Sequence, residues 1–384
     1  MYKSISPRIK SLGVDDLAIG LFENQYPVPD GITYNSYLIE GDAPIVMDTV
    51  DSRFADEWLS NLDEALDGRT PDALVCLHLE PDHSGTLTRA LEAYPSMKLV
   101  VSARAAQMLP QFADATVFDG RVTAVKEGDT FGPLRFIMAP MVHWPEVMTA
   151  WLDEEKTLFG ADAFGTFGTP GRPQDDWAPE AARYYFNIVG KYGVQVQGLL
   201  KKCAALPIER ICSLHGPVLE GEMLGRAVSL YDTWSSYRAD CGGVFIAVAS
   251  IYGHTLEAAE KLREMLGGRG IDVCLIDLCH TDVSYAVAEA FRRPTVVLAA
   301  SSYDASVFPP MAQLLHHLQI KGWRGHRVAL IENYSWGATA ARTMCSMLEP
   351  MKEITTVEPT VSVKTRLDAA STEALERLAE ALAV

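Results

Sequence analysis

The chain has 384 residues, 48% hydrophobic and 22% charged, enough for two domains each with its own core. A formal net charge of −17 disfavours nucleic acid and anionic membrane surfaces as partners. The charge is uneven: 13 Lys+Arg against 16 Asp+Glu from Gly243 onward leave −3 there, and 20 against 34 in residues 1–242 leave −14.

The longest apolar runs have strand length, which predicts no membrane span. MYKSISPRIKSLGVDDLAIG lacks the apolar core of a signal peptide, so a cytoplasmic location is expected. The seven cysteines (76, 203, 212, 241, 274, 279 and 345) are scattered without CxxC pairs. They fit reduced thiols and argue against a fused rubredoxin or zinc ribbon.

Residues 16–50 read as a β meander, with Tyr37–Ile39 and Ile45–Met47 forming a hairpin about Gly41-Asp42. Phe54, Trp58, Leu59, Leu62 and Leu66 mark an amphipathic helix over 52–66. The run Ala73–Leu77 then predicts a short buried strand, and His78-Leu79-Glu80-Pro81-Asp82-His83 follows it. Two imidazoles and two carboxylates in six residues, in a turn held open by Pro81 and followed by Gly85, suit metal binding. The plainer alternative is a polar loop in which His83 and Ser84 begin a helix. This β–β–α–β order, with a metal loop after the strand, suits an αββα sandwich.

Helices are predicted at 85–94 and 103–112, and strands at 98–102, 122–127 and 134–138. The last of these leads to His143, which beside Trp144 reads on its own as a packed or capping residue. A strand at 157–159 runs into Gly160-Ala161-Asp162-Ala163-Phe164-Gly165, where Asp162 alone would be an ordinary turn carboxylate. Helices at 180–204, a strand at 210–214 ending on His215-Gly216-Pro217, and a helix at 222–239 complete the first part. The boundary is placed at Asp240-Cys241-Gly242-Gly243.

The second part opens with a buried strand, Val244–Ala249, and a helix from Leu256 to Leu266. Between them lie Ser250, Ile251, Tyr252, Gly253, His254 and Thr255. Backbone N–H groups, the helix dipole and two hydroxyls there make an anion site, although an ordinary N-capped helix has the same pattern. Strands at 272–277, 294–300, 327–332 and 355–357 alternate with helices at 282–291 and 309–322, a doubly wound pattern. An amphipathic helix at 371–384 ends the chain. Such sheets bind ligands beyond the carboxyl ends of their strands. Ser301, Ser302, Tyr303 and Asp304 lie at one such end, and Asn333, Tyr334, Ser335, Trp336 and Gly337 at another. Both loops are aromatic-bearing and too polar for a core.

HLEPDH resembles the HxHxDH loop of the metallo-β-lactamase superfamily, with Glu80 in place of the second histidine. A carboxylate hardens the site and suits iron, and HxExDH is similar to the version in flavodiiron proteins. The stretch YPVPDGITYNSYLI, followed by the acidic turn Asp48-Thr49, resembles that family too. So do HWPEVM (Glu146 for Asp and Val147 for Ser in HWPDSM), GADAFG with Asp162 19 positions beyond His143, and HGP. The second part resembles flavodoxin, and its two loops are similar to GSPTxNN and GSYGWG. It departs in lacking the SPT proline, in Asp304 for Asn, and in Glu332 where small residues are usual.

The resemblance implies a two-domain protein of α/β and α+β class. An αββα metallo-β-lactamase-like diiron domain, 1–242, would precede a flavodoxin-like doubly wound FMN-binding domain, 243–384. It implies that His78, Glu80 and His143 hold one iron, that Asp82, His83 and His215 hold the other, and that Asp162 bridges them. FMN would contact residues 250–255 and the two loops. The implied activity passes electrons from an external carrier, such as rubredoxin or a reduced deazaflavin, through FMN to two irons that reduce O2 to water and/or NO to N2O. The implied assembly is a head-to-tail homodimer or a homotetramer. One competing reading is a dimetal hydrolase fused to a flavodoxin-like domain, against which Glu80 argues. Another is an electron-transfer or redox-sensing flavoprotein with a degenerate metal site, against which the full ligand set argues.

Overall fold

The computed structural model describes residues 2–170 and 176–383. Contacts between Cα atoms divide the chain into two compact units, Met1–Tyr185 with Val194–Asp232, and Phe186–Gly193 with Thr233–Val384.

The first unit is built on two sheets. One has the order Lys3–Ser4, Ile9–Ser11, Tyr37–Ile39, Ile45–Met47, Ala73–Cys76, Lys98–Ser102, Val122–Val125. The other runs Thr130–Phe131, Leu134–Met138, Met148–Leu152, Thr157–Phe159, Arg210–Cys212, Leu219–Glu220. Tyr37 of the first sheet meets Phe159 of the second at 5.6 Å between ring centroids, and its hydroxyl donates to the Ser213 carbonyl at 2.7 Å. The hairpin expected about Gly41-Asp42 forms, with Ile39 opposite Ile45. Ala73–Cys76 is buried along its whole length between parallel neighbours on either side, which is why it is apolar without alternation. Helix Ala55–Leu66 buries Trp58, Leu62 and Leu66 of the predicted stripe together with Ala55, Asn61 and Ala65, while Phe54 and Leu59 are half-buried.

Three elements differ from expectation for identifiable reasons. Met148–Leu152 was not anticipated: it lies between antiparallel partners on both sides and is buried on both faces, so MTAWL shows no period of two. The helix from Ala103 stops at Met108 and continues as a 3-10 turn, Leu109–Gln111, because Pro110 lacks the N–H a longer α-helix needs. The span 180–204 is broken into Ala178–Tyr184, a π-helical turn at Tyr185–Val189, and Gly193–Cys203.

The second unit carries a parallel sheet in the order Val273–Asp277, Val244–Ala249, Thr295–Tyr303, Arg327–Tyr334, Thr355–Lys364, the doubly wound arrangement expected. Its last strand is much longer than 355–357. Ile246, Val248, Val297, Ala299, Ala329 and Ile331 form one face, packed against Leu262 and Leu266 of helix His254–Gly267 and Leu375 and Leu378 of helix Ala369–Leu382. That final helix opens with a capping box between Asp368 and Ser371, and Val384 lies outside the described residues. Residues 186–193 also contribute to this unit. Phe186 stacks on Phe291 at 4.6 Å, Asn187 Nδ2 donates to the Ser284 carbonyl, and Lys321 Nζ donates to the Asn187 carbonyl.

Gly243 precedes strand Val244–Ala249 with φ +79, and a Cβ there would collide with the Asp272 carbonyl that accepts the Val244 N–H. Gly243→Ala is therefore expected to cost about 1–3 kcal/mol of the second unit's stability, read as a lower denaturation midpoint in urea.

Candidate metal centre and flavin cradle

The strand Ala73–Cys76 delivers the chain into His78–His83, and Pro81 opens a helical turn, Pro81–Ser84, as its first residue. His78, Glu80, His143 and Asp162 bring one ligand atom each within 4.8 Å of one another, and Asp82, His83 and His215 do the same. Asp162 stands between the two groups. Its Oδ2 lies 3.5 Å from His78 Nε2 and 3.0 Å from His143 Nε2, and its Oδ1 lies 3.1 Å from His83 Nε2 and 3.9 Å from His215 Nε2. Glu80 Oε2 reaches the same two imidazoles as Oδ2, at 3.2 and 3.0 Å. Asp82 Oδ2 approaches His83 and His215 at 3.4 and 3.3 Å. All seven residues expected to bind metal thus converge in one place.

The turn that presents Asp162 is tightly determined. Ala161 and Phe164 both have positive φ, and Leu214 N donates to the Ala161 carbonyl, tying this turn to the strand end that carries His215. Phe164 N donates to the Tyr231 hydroxyl at 2.6 Å. Phe22, Tyr34 and Tyr184 wall off His215, with ring centroids 5.3, 6.1 and 5.5 Å from it.

Outside the ligand atoms, each end of the site has its own orienting groups. His78 Nδ1 pairs with Glu146 Oε1 at 2.8 Å, and that oxygen also accepts from Leu79 N at 3.0 Å. His215 Nδ1 donates to the Thr33 carbonyl at 2.7 Å. Both contacts leave Nε2 facing the centre. Asp48 accepts from Leu77 N and, more weakly, from His78 N, and burial pushes its carboxyl up to about 7. Sequence reasoning noted Glu146 only as a departure from HWPDSM. The signal for its role was an acid three residues after His143. Thr33 acts through its backbone and left no signal at all.

The buried Asp82 and Asp162 oxygens, both His83 nitrogens and His215 Nε2 make no hydrogen bond. A protein does not bury this many polar atoms unsatisfied unless another group meets them. A mixed imidazole and carboxylate set of this kind fits two iron ions. The electrostatics agree. Burial opposes a charge on His78, yet Asp162, Glu146 and Glu80 outweigh it and hold its pKa well above the usual value. The same balance, led by Asp162 and Glu80, raises His143 to about 9, and the two histidines draw Glu80 down to about 2 against its burial.

In the second unit a cavity of about 510 Å³ opens at the carboxyl ends of the strands. Every expected cofactor-binding residue lines it except Gly253, and Ala305, Thr339 and Thr365 join them. Gly253 instead supplies backbone: with φ +94 it precedes helix His254–Gly267, makes no side-chain cap, and donates its N–H to Ser250 Oγ. That helix begins two residues earlier than predicted, so His254 and Thr255 lie in its first turn, where N–H groups are available to a phosphate. Thr255 Oγ1 and Ser301 Oγ pair at 2.8 Å. Tyr252 and Trp336 stand 91% and 97% exposed at the rim, flat apolar surfaces of the kind that a flavin ring covers.

A family model described as the ODP family beta lactamase matches residues 32–216. A flavo-diiron protein of Clostridium acetobutylicum is 26% identical over 366 residues, covering 91% of this chain and 90% of its own length. An anaerobic nitric oxide reductase flavorubredoxin of Vibrio vulnificus is 27% identical over 335 residues, 82% of this chain and 66% of that relative. The chain is similar to flavodiiron proteins over most of its length. The fold agrees: the rubredoxin oxygen:oxidoreductase of Desulfovibrio gigas superposes with a TM-score of 0.91 at 24% identity, covering 100% of this chain and 98% of that one. The flavodiiron protein of Giardia intestinalis gives 0.89 at 22% identity, with 100% and 96% covered. The cofactors of a flavodiiron protein are those the two sites fit, FMN and two irons.

Three measurable outcomes follow from this centre. Removing the carboxylate that orients His78, by Glu146→Ala, is expected to weaken iron binding about 10–100-fold, measured by chelator competition. Loading the metal-free protein with Fe2+ at pH 7.5 is expected to release protons, since His78, His83 and His143 have raised pKa values and ligation displaces what they carry. The sign for stability is set by the same shift. A histidine raised from 6.5 to about 9 stabilises the metal-free fold fully below pH 6.5, and that contribution is lost as pH rises through about 9. Thermal melts of the metal-free protein should fall over that window, and those of the iron-loaded protein should not.

Proposed function

We propose that this protein is a flavodiiron oxidoreductase that passes electrons from an external carrier through FMN to a diiron site reducing O2 to water and/or NO to N2O. The observation that carries the reading is the division of Asp162, whose two oxygens each face a different pair of imidazoles. On this reading His78, Glu80 and His143 hold one iron, Asp82, His83 and His215 the other, and Asp162 bridges them. One relative is named as an oxygen:oxidoreductase and another as a nitric oxide reductase, which supports both gases as substrates.

The irons supply the site of gas reduction, and FMN accepts and releases electrons singly. The chain's own residues set the geometry. Glu146 and the Thr33 carbonyl fix the faces of His78 and His215, and Phe22, Tyr34 and Tyr184 exclude water beside His215. The metal site belongs to the unit of Met1–Tyr185 with Val194–Asp232, and the flavin cradle to the unit of Phe186–Gly193 with Thr233–Val384, so the expected halves 1–242 and 243–384 hold except for 186–193 and 233–242. Among the described residues no helix is long and apolar enough to cross a membrane, and all seven cysteines are free thiols, which favours the cytoplasm. The donor is a separate carrier such as rubredoxin or a reduced deazaflavin.

The reading is tested by quantifying iron and flavin, then mixing the reduced protein anaerobically with O2 and with NO in stopped flow. Rapid reoxidation by at least one gas is expected; reoxidation by neither, with both cofactors present, refutes it. Asp162→Ala should lose the iron pair and turnover together, because the bridging charge between two cations is gone. A head-to-tail homodimer, in which the flavin of one chain serves the irons of the other, is the proposed assembly. Mixing a His143→Ala chain with a chain altered at Trp336 and Thr255 should then restore part of the activity that each lacks alone. Heterodimers without recovery would place electron transfer within one chain.

A further inference from the structure

The aliphatic run of strand Arg327–Tyr334 is interrupted near its end by Glu332, which is only 6% exposed. It sits in register with Ala300 on one side and Ser362 on the other, one residue before Asn333 enters the lining of the flavin cradle. A carboxylate buried to this degree needs donors for both oxygens. It has them: Ser362 Oγ donates to Oε1 at 2.8 Å and Ala341 N donates to Oε2 at 3.1 Å. Ala341 is the second residue of helix Ala340–Leu348, so the carboxylate lies against the positive end of that helix. The neighbouring N–H groups of Thr339 and Ala340 both donate to Ser302 Oγ, at 3.0 and 3.1 Å. Ser302 and Thr339 themselves line the cradle. This helix end is therefore closed by the chain's own oxygens, whereas the one at His254 carries no side-chain cap.

We propose that Glu332 is a built-in anion that holds down the reduction potential of the FMN in this cradle, a proposal resting on the FMN reading above. Full reduction adds two electrons from the external carrier and one proton from solvent to the ring, so the ring gains one negative charge. A carboxylate in surroundings far less polar than water opposes that gain over a longer range than a solvated one would. The helix end that would otherwise favour the new anion is already neutralised by Glu332. Keeping the ring's reduced form costly makes it a stronger donor to the irons.

The test uses the full-length, FMN-loaded protein. Glu332→Gln keeps the volume and removes the charge, and Ser362→Ala keeps the charge and removes one of its donors. Redox titration against indicator dyes reads the midpoint potential. Binding of oxidised and reduced FMN to the flavin-free protein reads the same quantity independently, as a ratio of affinities. Glu332→Gln is expected to raise the potential and to shift that ratio toward reduced FMN by about ten-fold, the equivalent of one charge contact. Ser362→Ala should not raise it. Equal potentials in the wild type and Glu332→Gln overturn the proposal. If the glutamine variant loses flavin, Glu332→Met replaces it; loss of flavin or of the fold in both variants makes Glu332 a structural support and overturns the proposal too. A wild-type chain that takes up no FMN refutes the cradle reading itself, a result distinct from FMN bound with its potential unmoved.

Discussion

Everything in the first unit answers to one electrostatic problem: a carboxylate with almost no solvent contact, Asp162, is set among four imidazoles with Glu80 and Asp82 alongside. Burying such a group is costly unless opposite charge meets it. In the absence of metal that charge has to come from protons on His78, His83 and His143, which is why their pKa values rise. Two cations meet the same need without depending on pH. The fold serves this arrangement by bringing strand ends from both sheets to one point. Ala73–Cys76 belongs to one sheet, and Leu134–Met138, Thr157–Phe159 and Arg210–Cys212 to the other.

Much of this was legible in the chain because the ligands cluster where polar residues have no reason to follow buried strands. HLEPDH is a local signal. His143, Asp162 and His215 are each unremarked alone and gain meaning only as a set in the right order. What the sequence concealed has physical causes. The partner of His215 is a backbone carbonyl, which no residue type announces. Glu146 acts from inside a loop and looked like a conservative change. MTAWL hid a strand because burial on both faces erases alternation. Gly253 was expected among the cradle's lining, but its contribution is a positive φ and an N–H that donates to Ser250 Oγ.

The flavin cradle is a study in two helix ends. Each directs backbone N–H groups and a positive dipole toward the same carboxyl edge of a parallel sheet. One follows Gly253 without a side-chain cap and stays open, and a mononucleotide phosphate matches it. The other is filled by Ser302 and Glu332. Fold and periodicity predict both helices; which end is open depends on single residues whose partners lie on other strands.

Residues 186–193 give the chain an interlaced path: their rings and amides complete the second unit, although sequence on both sides of them belongs to the first. Membership changes again inside helix Gly221–Ser235, between Asp232 and Thr233. No single cut in the polypeptide therefore separates the two cores. Neither half behaves as a detachable cassette: recombination at the glycine-rich link near residue 242 would join a flavin unit to a foreign copy of the 186–193 segment. Substitutions at Phe186 and Phe291 are consequently coupled within one core, although they fall on opposite sides of what looks, along the sequence, like a domain boundary.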